Sequence, residues 1–227
     1  MKRTNYFSRI VLLLYIVLLT SCSTQKNSDK LPKEDEIVVS SGKEEVLFIG
    51  NSHTYYNQGI STHLLKFREN DNIGFEPLIQ EAAQGGFSLQ DHLGNPGTIA
   101  KVKERAWDFI ILQENTSVAA QTLSSTTDAM IEFANMVAQN DTKIFLFMTW
   151  PYKEDPDMLA GIKDTYKAGA SAVNGTIVPI GEQWLTIDSN EEVEVNLYDS
   201  DGVHPTLEGT FFASAKFYKA IYGKPPS

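Results

Sequence analysis

The sequence predicts an α/β protein in which helices cover both faces of a parallel sheet. Short apolar segments of strand length alternate along the chain with longer segments whose apolar residues recur at helical spacing. This alternation is typical of parallel sheets, because the crossover between parallel strands usually runs through a helix. The segment Phe109-Ile110-Ile111-Leu112 is apolar throughout, as expected of a strand buried on both faces.

The composition is that of a globular protein. The chain has 227 residues, of which 42% are hydrophobic and 21% charged, which is enough for one domain with a substantial core. Its formal net charge of -10 disfavours nucleic acid and anionic lipid surfaces as partners, and suits a neutral or cationic ligand. The sequence has no GxxxxGKS/T phosphate loop and no GxGxxG fingerprint, and we predict no cofactor.

The first 21 residues have the organisation of a signal peptide. Lys2, Arg3 and Arg9 precede an apolar run at residues 10–19, which is too short to span a bilayer. The segment Leu19-Thr20-Ser21-Cys22 resembles the bacterial lipobox, in which the signal is cut before a cysteine that becomes lipidated. The alternative is an ordinary secretory signal followed by an unrelated cysteine.

We therefore divide the chain into a signal peptide (residues 1–21), a polar tether (22–44) and one domain (45–227). The tether is charge-rich, although residues 37–39 could add a short edge strand. Acyl chains on Cys22 are expected to anchor the protein to the membrane of a bacterial cell envelope. Ser23 resembles a sorting signal for the outer membrane, and we expect the anchor to lie there.

Five segments are predicted to be strands, in chain order residues 46–49, 75–83, 109–112, 144–148 and 176–180. All are short and apolar, and most are rich in β-branched or aromatic residues. Pro77 cannot donate a hydrogen bond within a sheet, which places the second strand at an edge. Gly85 and Gly86 then interrupt that segment.

Five segments are predicted to be helices, in chain order residues 60–68, 98–105, 126–138, 157–173 and 205–222. The third, for example, carries Met130, Phe133, Ala134 and Val137 on one side. The last is rich in aromatic residues, and Pro205 suits the first position of a helix.

Ser52 directly follows the first strand and is a candidate nucleophile. Gly50 and Asn51 both tolerate the tight backbone of a turn at a strand end. Ser52 should then lie at the carboxyl edge of the sheet, where open α/β sheets bind their ligands. The alternative is that Ser52 only caps the next helix.

A nucleophilic serine needs a base and a group that orients the base. His204 is the best candidate base, because it lies in a turn-rich loop three residues after Asp201. At this spacing the carboxylate can reach Nδ1 of His204 and leave Nε2 free to take a proton from Ser52. The alternative is that Asp201 and Thr206 only cap the last helix.

The other three histidines are weaker candidates. His53 adjoins Ser52 and should point away from it, so we assign it to the wall of a substrate pocket or to the residues behind the catalytic groups. His63 is expected at the surface or boundary of its helix, and His92 lies in a segment that looks like a loop and could have either a structural or a functional role. Two histidines and one acid, His53, His204 and Asp201, lack a recognisable ligand spacing, and we predict no metal site.

A serine nucleophile that attacks a carbonyl group also needs donors that stabilise the resulting oxyanion. The backbone N–H groups of Ser52 and Gly86 are candidates, as are the side-chain amides of Gln113 and Asn115 after the third strand. Trp150 follows the fourth strand and could stack on a sugar or shield an acyl group. Packing in the core is the alternative for Trp150.

Three sequence blocks resemble those of the SGNH hydrolases, also called the GDSL esterase/lipase superfamily. Ile49-Gly50-Asn51-Ser52-His53-Thr54 resembles the first block, with Asn51 where the family often has Asp, and Gln84-Gly85-Gly86-Phe87-Ser88-Leu89 resembles the second. Asp201-Gly202-Val203-His204-Pro205 matches the last block, Asp-x-x-His. The third block departs, because Gln113-Glu114-Asn115-Thr116 stands where the family usually has Gly-x-Asn-Asp.

The resemblance covers roughly residues 46–222 and implies a flavodoxin-like, three-layer α/β/α sandwich with a five-stranded parallel sheet. It further implies a Ser52–His204–Asp201 triad, no metal, and ester hydrolysis through an acyl-enzyme on Ser52. Either Asn115 or Gln113, which serves in some carbohydrate-esterase relatives, would supply the oxyanion amide, with Asn115 preferred.

By family analogy the expected substrate is a small or carbohydrate ester, with an O-acetyl group on a sugar preferred. No long apolar insertion separates the blocks, which disfavours a true lipase. The alternative is a catalytically inactive, lipid-anchored glycan-binding protein of the same fold, which the unusual third block would suit.

Overall fold

The computed structural model of the chain describes residues 44–71, 77–190 and 192–227. The predicted signal peptide, Cys22, the tether up to residue 43 and the optional strand at 37–39 lie outside the described residues. So do residues 75 and 76, where the second strand was predicted to begin. None of the helices in the described ranges combines the length and the apolar character that a bilayer crossing requires.

A five-stranded parallel sheet forms the centre of the molecule. In chain order its strands are β1 (Glu45–Gly50), β2 (Leu78–Ala83), β3 (Phe109–Leu112), β4 (Lys143–Phe147) and β5 (Thr176–Val178). They lie side by side in the order β2-β1-β3-β4-β5, and every neighbouring pair is parallel. The predicted five-stranded parallel sheet is confirmed, as is the edge position of its second strand.

Helices cover both faces of this sheet. They are α1 (Ser52–Tyr55), α2 (Gly59–Asn70), α3 (Leu89–Leu93), α4 (Pro96–Lys103), α5 (Thr116–Gln121), α6 (Leu123–Val137), α7 (Met158–Val173), α8 (Ile180–Asp188) and α9 (Leu207–Tyr222). Successive side chains of β1 enter different cores, because strand residues alternate between the faces of a sheet. Val46 and Phe48 pack with α2, α8 and α9, whereas Leu47 and Ile49 pack with α3 to α7. The predicted three-layer α/β/α sandwich is therefore confirmed.

The elements depart from the sequence prediction at several points. Helices α1, α3, α5 and α8 were not predicted, and α3 includes His92, whose segment was expected to be a loop. The fifth strand ends at Val178, and Ile180, which was assigned to that strand, already begins α8. His63 was expected at the surface or boundary of its helix but is buried, with its Nε2 3.0 Å from the carbonyl oxygen of Asn57.

The last helix begins at Leu207 and not at Pro205. Thr206 is its N-cap residue, because the Thr206 hydroxyl accepts a hydrogen bond from the N–H of Gly209 at 3.1 Å. Pro205 instead forms an isolated antiparallel bridge with Tyr198. This bridge holds the loop that carries His204 against the chain segment before it.

Candidate active site

Ser52 lies at the carboxyl end of β1 as the first residue of α1. Asn51 is the N-cap residue of that helix, with its Oδ1 accepting the N–H of His53 at 3.2 Å. The alternative reading of Ser52 as the cap is therefore wrong, and its hydroxyl is free for another partner. A side chain at Gly50 would stand 2.4 Å from Oε1 of Gln113, so the close approach of β1 to the end of β3 requires glycine there.

The structure brings Ser52, His204 and Asp201 into one hydrogen-bonded row. Oγ of Ser52 lies 2.9 Å from Nε2 of His204, and Nδ1 of His204 lies 2.5 Å from Oδ2 of Asp201. An ionised carboxylate can only accept hydrogen bonds, so Nδ1 carries the imidazole proton. Nε2 is then the acceptor for the hydroxyl hydrogen of Ser52.

The second carboxylate oxygen of Asp201 is also held by hydrogen bonds. Its Oδ1 accepts the backbone N–H groups of Val203 and His204, each at 2.9 Å. The hydrogen bond from the His204 side chain, together with these backbone bonds, lowers the pKa of Asp201 to about 2. The carboxyl group is therefore ionised at neutral pH, as its role in orienting His204 requires.

Aromatic rings hold the imidazole of His204 in place. The ring of Tyr56 stacks on it with centroids 4.5 Å apart, and His53 meets it edge-on at 6.0 Å. Sequence reasoning missed Tyr56. The sequence shows only that Tyr56 is an aromatic residue four positions after Ser52. The direction of its ring depends on a turn that residue spacing does not reveal.

Asn57 connects the segment after Ser52 to the loop of His204. Its backbone is left-handed, with φ of 52°, and its Nδ2 donates to the carbonyl oxygen of Pro205 at 2.8 Å and to Oγ1 of Thr210 at 2.9 Å. Phe67 of α2 also packs edge-on against Phe211 and Tyr218 of α9. These contacts bring the two distant parts of the row together.

His53 and Trp150, which were predicted to contact substrate, are both buried in this structure. Trp150 is 0% exposed and stacks between His53 at 4.5 Å and Trp184 at 3.7 Å, while its Nε1 donates to the carbonyl oxygen of Val203. Burial lowers the pKa of His53 to about 3, so its ring is neutral. The core-packing alternative thus fits Trp150, and the two rings support the His204 loop from beneath.

Gly86 occupies a tight turn beside the row. The N–H of Phe87 donates to the carbonyl oxygen of Gln84 at 3.1 Å, and Gly86 has a φ of +76°, as expected of glycine at the third position of a type II turn. Asn51 fixes this turn by donating from Nδ2 to the carbonyl oxygen of Phe87 at 3.0 Å. Within the described ranges, no hydrogen bond uses the N–H of Ser52 or of Gly86, so both donors are available.

The two candidate amides after β3 have different surroundings. Gln113 is fully buried. Its Oε1 accepts hydrogen bonds from the N–H of Asn51 at 2.7 Å and from Oγ1 of Thr54 at 3.0 Å. Its Nε2 donates to the carbonyl oxygen of Glu114. Asn115 is only partly buried, and its Nδ2 lies 3.1 Å from the carbonyl oxygen of Gly86. One hydrogen of that amide remains for a ligand. Of the two residues, Asn115 has exposed surface and Gln113 has none.

His92, for which the sequence suggested no role, supports the end of β1. Its Nε2 lies 2.7 Å from the carbonyl oxygen of Gly50, which can only accept, so Nε2 carries the proton. Nδ1 then accepts from Oγ1 of Thr98 at 2.9 Å. Burial lowers the pKa of His92, which keeps this ring neutral.

In the part of the chain that the structure describes, no three His, Cys, Asp or Glu side chains form a group able to hold a metal ion.

Solved structures share this arrangement of sheet and helices. A candidate SGNH hydrolase from Slackia heliotrinireducens matches with a TM-score of 0.67 and 20% sequence identity, over 79% of this chain and 100% of that one. The chain has the SGNH hydrolase fold. The fold class that the three sequence blocks implied is thereby confirmed.

Two further solved structures show the range of similar proteins. A lipase/acylhydrolase from Enterococcus faecalis matches with a TM-score of 0.62 and 15% identity, over 81% of this chain and 99% of that one. A protein of the DUF4886 family from Bacteroides uniformis matches with a TM-score of 0.61 and 18% identity, over 81% of this chain and 84% of that one. No family model and no curated protein matches the sequence.

Proposed function

We propose that the protein is a serine ester hydrolase that acts through an acyl-enzyme on Ser52. The observation that carries this proposal is the row of contacts from Oγ of Ser52 to Nε2 of His204 at 2.9 Å and from Nδ1 to Asp201 at 2.5 Å. A serine hydroxyl becomes a useful nucleophile when a fixed base takes its proton as it attacks. Each of these three groups has the hydrogen-bond partner that this chemistry needs.

The reaction would proceed in two halves. Oγ of Ser52 attacks the ester carbon while its proton passes to Nε2 of His204, and the carbonyl oxygen becomes an oxyanion. When this intermediate collapses, the bond to the alcohol breaks and His204 returns the proton to the leaving oxygen. Water then attacks the acyl-enzyme and gives a proton to Nε2. When this second intermediate collapses, its bond to Oγ of Ser52 breaks, His204 returns the proton to Oγ, and the acid is released.

The oxyanion would be held by the backbone N–H groups of Ser52 and Gly86 and by Nδ2 of Asn115. The first two have no hydrogen-bond partner among the described residues, and the third retains one hydrogen. Donors fixed before the reaction stabilise the developing charge because they need no rearrangement. In this assignment Asn115 is an oxyanion donor, whereas Gln113 has a structural role.

For the substrate we propose an O-acetyl ester on a carbohydrate. Tyr55 lies beside the Gly85–Gly86 turn, because a side chain at Gly85 would stand 2.9 Å from its hydroxyl, and 40% of this residue is exposed. An exposed aromatic ring next to the attacked bond suits stacking on a sugar, the role that the buried Trp150 cannot take. The intact row at Ser52 argues against the alternative of an inactive glycan-binding protein.

The test is hydrolysis of p-nitrophenyl acetate and of a panel of acetylated sugars and polysaccharides. Ser52→Ala should abolish turnover, and mass spectrometry of the wild type should detect an acetyl adduct on the peptide that contains Ser52. Ser125→Ala is the matched control, since Ser125 is exposed on α6 and its hydroxyl donates to the carbonyl oxygen of Thr122, the N-cap residue of that helix. Turnover by Ser52→Ala equal to the wild type would refute the proposal.

We also propose that Cys22 carries lipid and anchors the domain to the outer membrane of a bacterial envelope. The proposal rests on the lipobox-like segment ending at Cys22 and on Ser23 after it. Labelled fatty acid should be incorporated into the wild type and not into Cys22→Ser. Equal labelling of the two proteins would exclude lipidation at this residue.

A further inference from the structure

Glu114 lies directly behind the candidate oxyanion donors, although no step of the proposed reaction uses it. Only 1% of its surface is exposed. Its Oε1 accepts the backbone N–H of Asn115 at 2.6 Å and that of Leu89 at 3.1 Å, and its Oε2 accepts from Oγ1 of Thr126 at 3.2 Å. One buried carboxyl group therefore joins three separate segments of the chain.

Two of these segments carry the donors proposed for the oxyanion. Leu89 begins α3 three residues after Gly86, and Asn115 is itself the third proposed donor. The same segments touch directly where Nδ2 of Asn115 donates to the carbonyl oxygen of Gly86 at 3.1 Å. A shift of Glu114 would thus change the positions of Gly86 and Asn115 relative to each other.

Packing alone does not account for a carboxyl group at this position. Burial raises the pKa of Glu114 to about 7, which reflects the free energy lost when its charge leaves water. An apolar side chain would avoid this penalty but would leave the N–H groups of Leu89 and Asn115 buried without an acceptor. The position therefore needs an acceptor that reaches both segments at once.

We infer that Glu114 is the positioning residue of the oxyanion hole. It fixes the Gly86 turn and the Asn115 segment at the separation at which their donors converge on one oxygen. This inference rests on the proposed function for its effect on rate, but the positioning itself is a property of the free protein.

The test compares three variants of Glu114 with a matched control. Glu114→Ala removes the acceptor, Glu114→Asp withdraws it by one methylene, and Glu114→Gln retains an oxygen for both N–H groups. The control is Glu81→Ala, because Glu81 is a partly buried carboxylate that binds the N–H of Ser61 in α2 and contacts neither oxyanion segment.

With p-nitrophenyl acetate, Glu114→Ala and Glu114→Asp should lower kcat about 10²-fold with KM within about twofold of the wild type, as expected for misplaced oxyanion donors. Glu114→Gln should keep kcat within about threefold of the wild-type value, since the amide oxygen of Gln is still an acceptor. Glu81→Ala should lose stability without losing kcat. If Glu114→Ala does not fold, the kcat of Glu114→Asp tests the positioning role of Glu114.

Amide hydrogen exchange provides a readout that needs no activity. Peptides covering residues 84–89 and 113–117 should exchange faster in Glu114→Asp than in the wild type, and at the wild-type rate in Glu114→Gln. Unchanged exchange there, or wild-type kcat in both Glu114→Ala and Glu114→Asp, would overturn the inference. A wild type that hydrolyses no ester would instead refute the proposed function, and the exchange comparison would still decide the role of Glu114.

Discussion

The phenol ring of Tyr56 lies face to face with the imidazole of His204, with ring centroids 4.5 Å apart and planes inclined by 16°. Asp201 fixes the same imidazole at Nδ1, and His53 stands at its edge. The base is thus held by a hydrogen bond along its plane and by a ring against its face. Stacking restrains a tilt that the single hydrogen bond to Asp201 does not prevent.

Tyr56→Ala should therefore lower kcat for p-nitrophenyl acetate by about fivefold, because an aromatic pair contributes about 1 kcal/mol. Tyr56→Phe should retain the wild-type kcat, since the stack needs the ring and not the hydroxyl. Steady-state kinetics on the three proteins check this. Equal losses in the Ala and Phe variants would show that the hydroxyl, and not the ring, matters.

Asp201→Asn should lower kcat by about 10⁴-fold, the size of effect that this change has in serine proteases. The backbone N–H groups of Val203 and His204 will keep the amide oxygen, which leaves the NH₂ group facing Nδ1. Nδ1 must then accept, the proton moves to Nε2, and Ser52 loses its base. Circular dichroism should show an unchanged fold, and a kcat near that of the wild type would contradict the assignment of Asp201.

Gly86→Ala and Gly223→Ala form a matched pair. Both glycines have positive φ, +76° and +72°, so each substitution should cost about 1 kcal/mol of stability. The turn of Gly86 is bonded to Asn51, the residue before Ser52, whereas Gly223 caps the end of α9. Only Gly86→Ala should lower kcat, by about 10²-fold, because it displaces a proposed oxyanion donor. Thermal melts and kinetics on both variants check this, and an equal kcat would remove Gly86 from the oxyanion hole.

Asn115→Ala and Gln113→Ala should fail in different ways. Loss of the Asn115 amide should lower kcat by about 10²-fold with a small change in melting temperature. Loss of Gln113 leaves the N–H of Asn51 and the hydroxyl of Thr54 buried without their acceptor, which should destabilise the fold by about 2 kcal/mol or more. The reverse pattern would assign the oxyanion amide to Gln113.

Glu114→Gln should change how stability depends on pH. Burial raises the pKa of Glu114 from 4.5 to about 7, so between these values the folded protein binds a proton that the unfolded chain has lost. The contribution of Glu114 to the free energy of unfolding therefore falls as the pH rises from 4.5 to about 7, by at most about 3 kcal/mol. The unfolding free energy of Glu114→Gln minus that of the wild type, measured in urea, should rise from pH 4.5 to 7 and then level off. A constant difference would show that Glu114 titrates normally.

The strands were the most predictable part of the fold, because a buried parallel strand is a short apolar run that its flanking polar residues delimit. The helices that the sequence missed lack such a signal. Helix α3 is only five residues long, and α8 begins two residues after β5, so one apolar run crosses the boundary at Pro179. Composition cannot divide a run whose apolar character does not change.

Within the site, the Asp201–His204 pair was predictable because three residues of spacing nearly determine its geometry. The surroundings were not, since they depend on contacts between distant segments. Trp150 is buried by Trp184, which belongs to the unpredicted helix α8. Gln113 and Asn115 have the same amide chemistry, and only the packing of Gln113 against Asn51 and Thr54 separates their tasks.

The contacts of Asn57 with Pro205 and Thr210 have a consequence for biosynthesis. Ser52 and its base are 152 residues apart, so Ser52 is synthesised well before His204. A nascent or truncated polypeptide therefore holds the serine without the histidine that would activate it. Reactivity of Ser52 toward a fluorophosphonate probe would thus serve as a marker of completed folding, because it requires both ends of the domain to be docked.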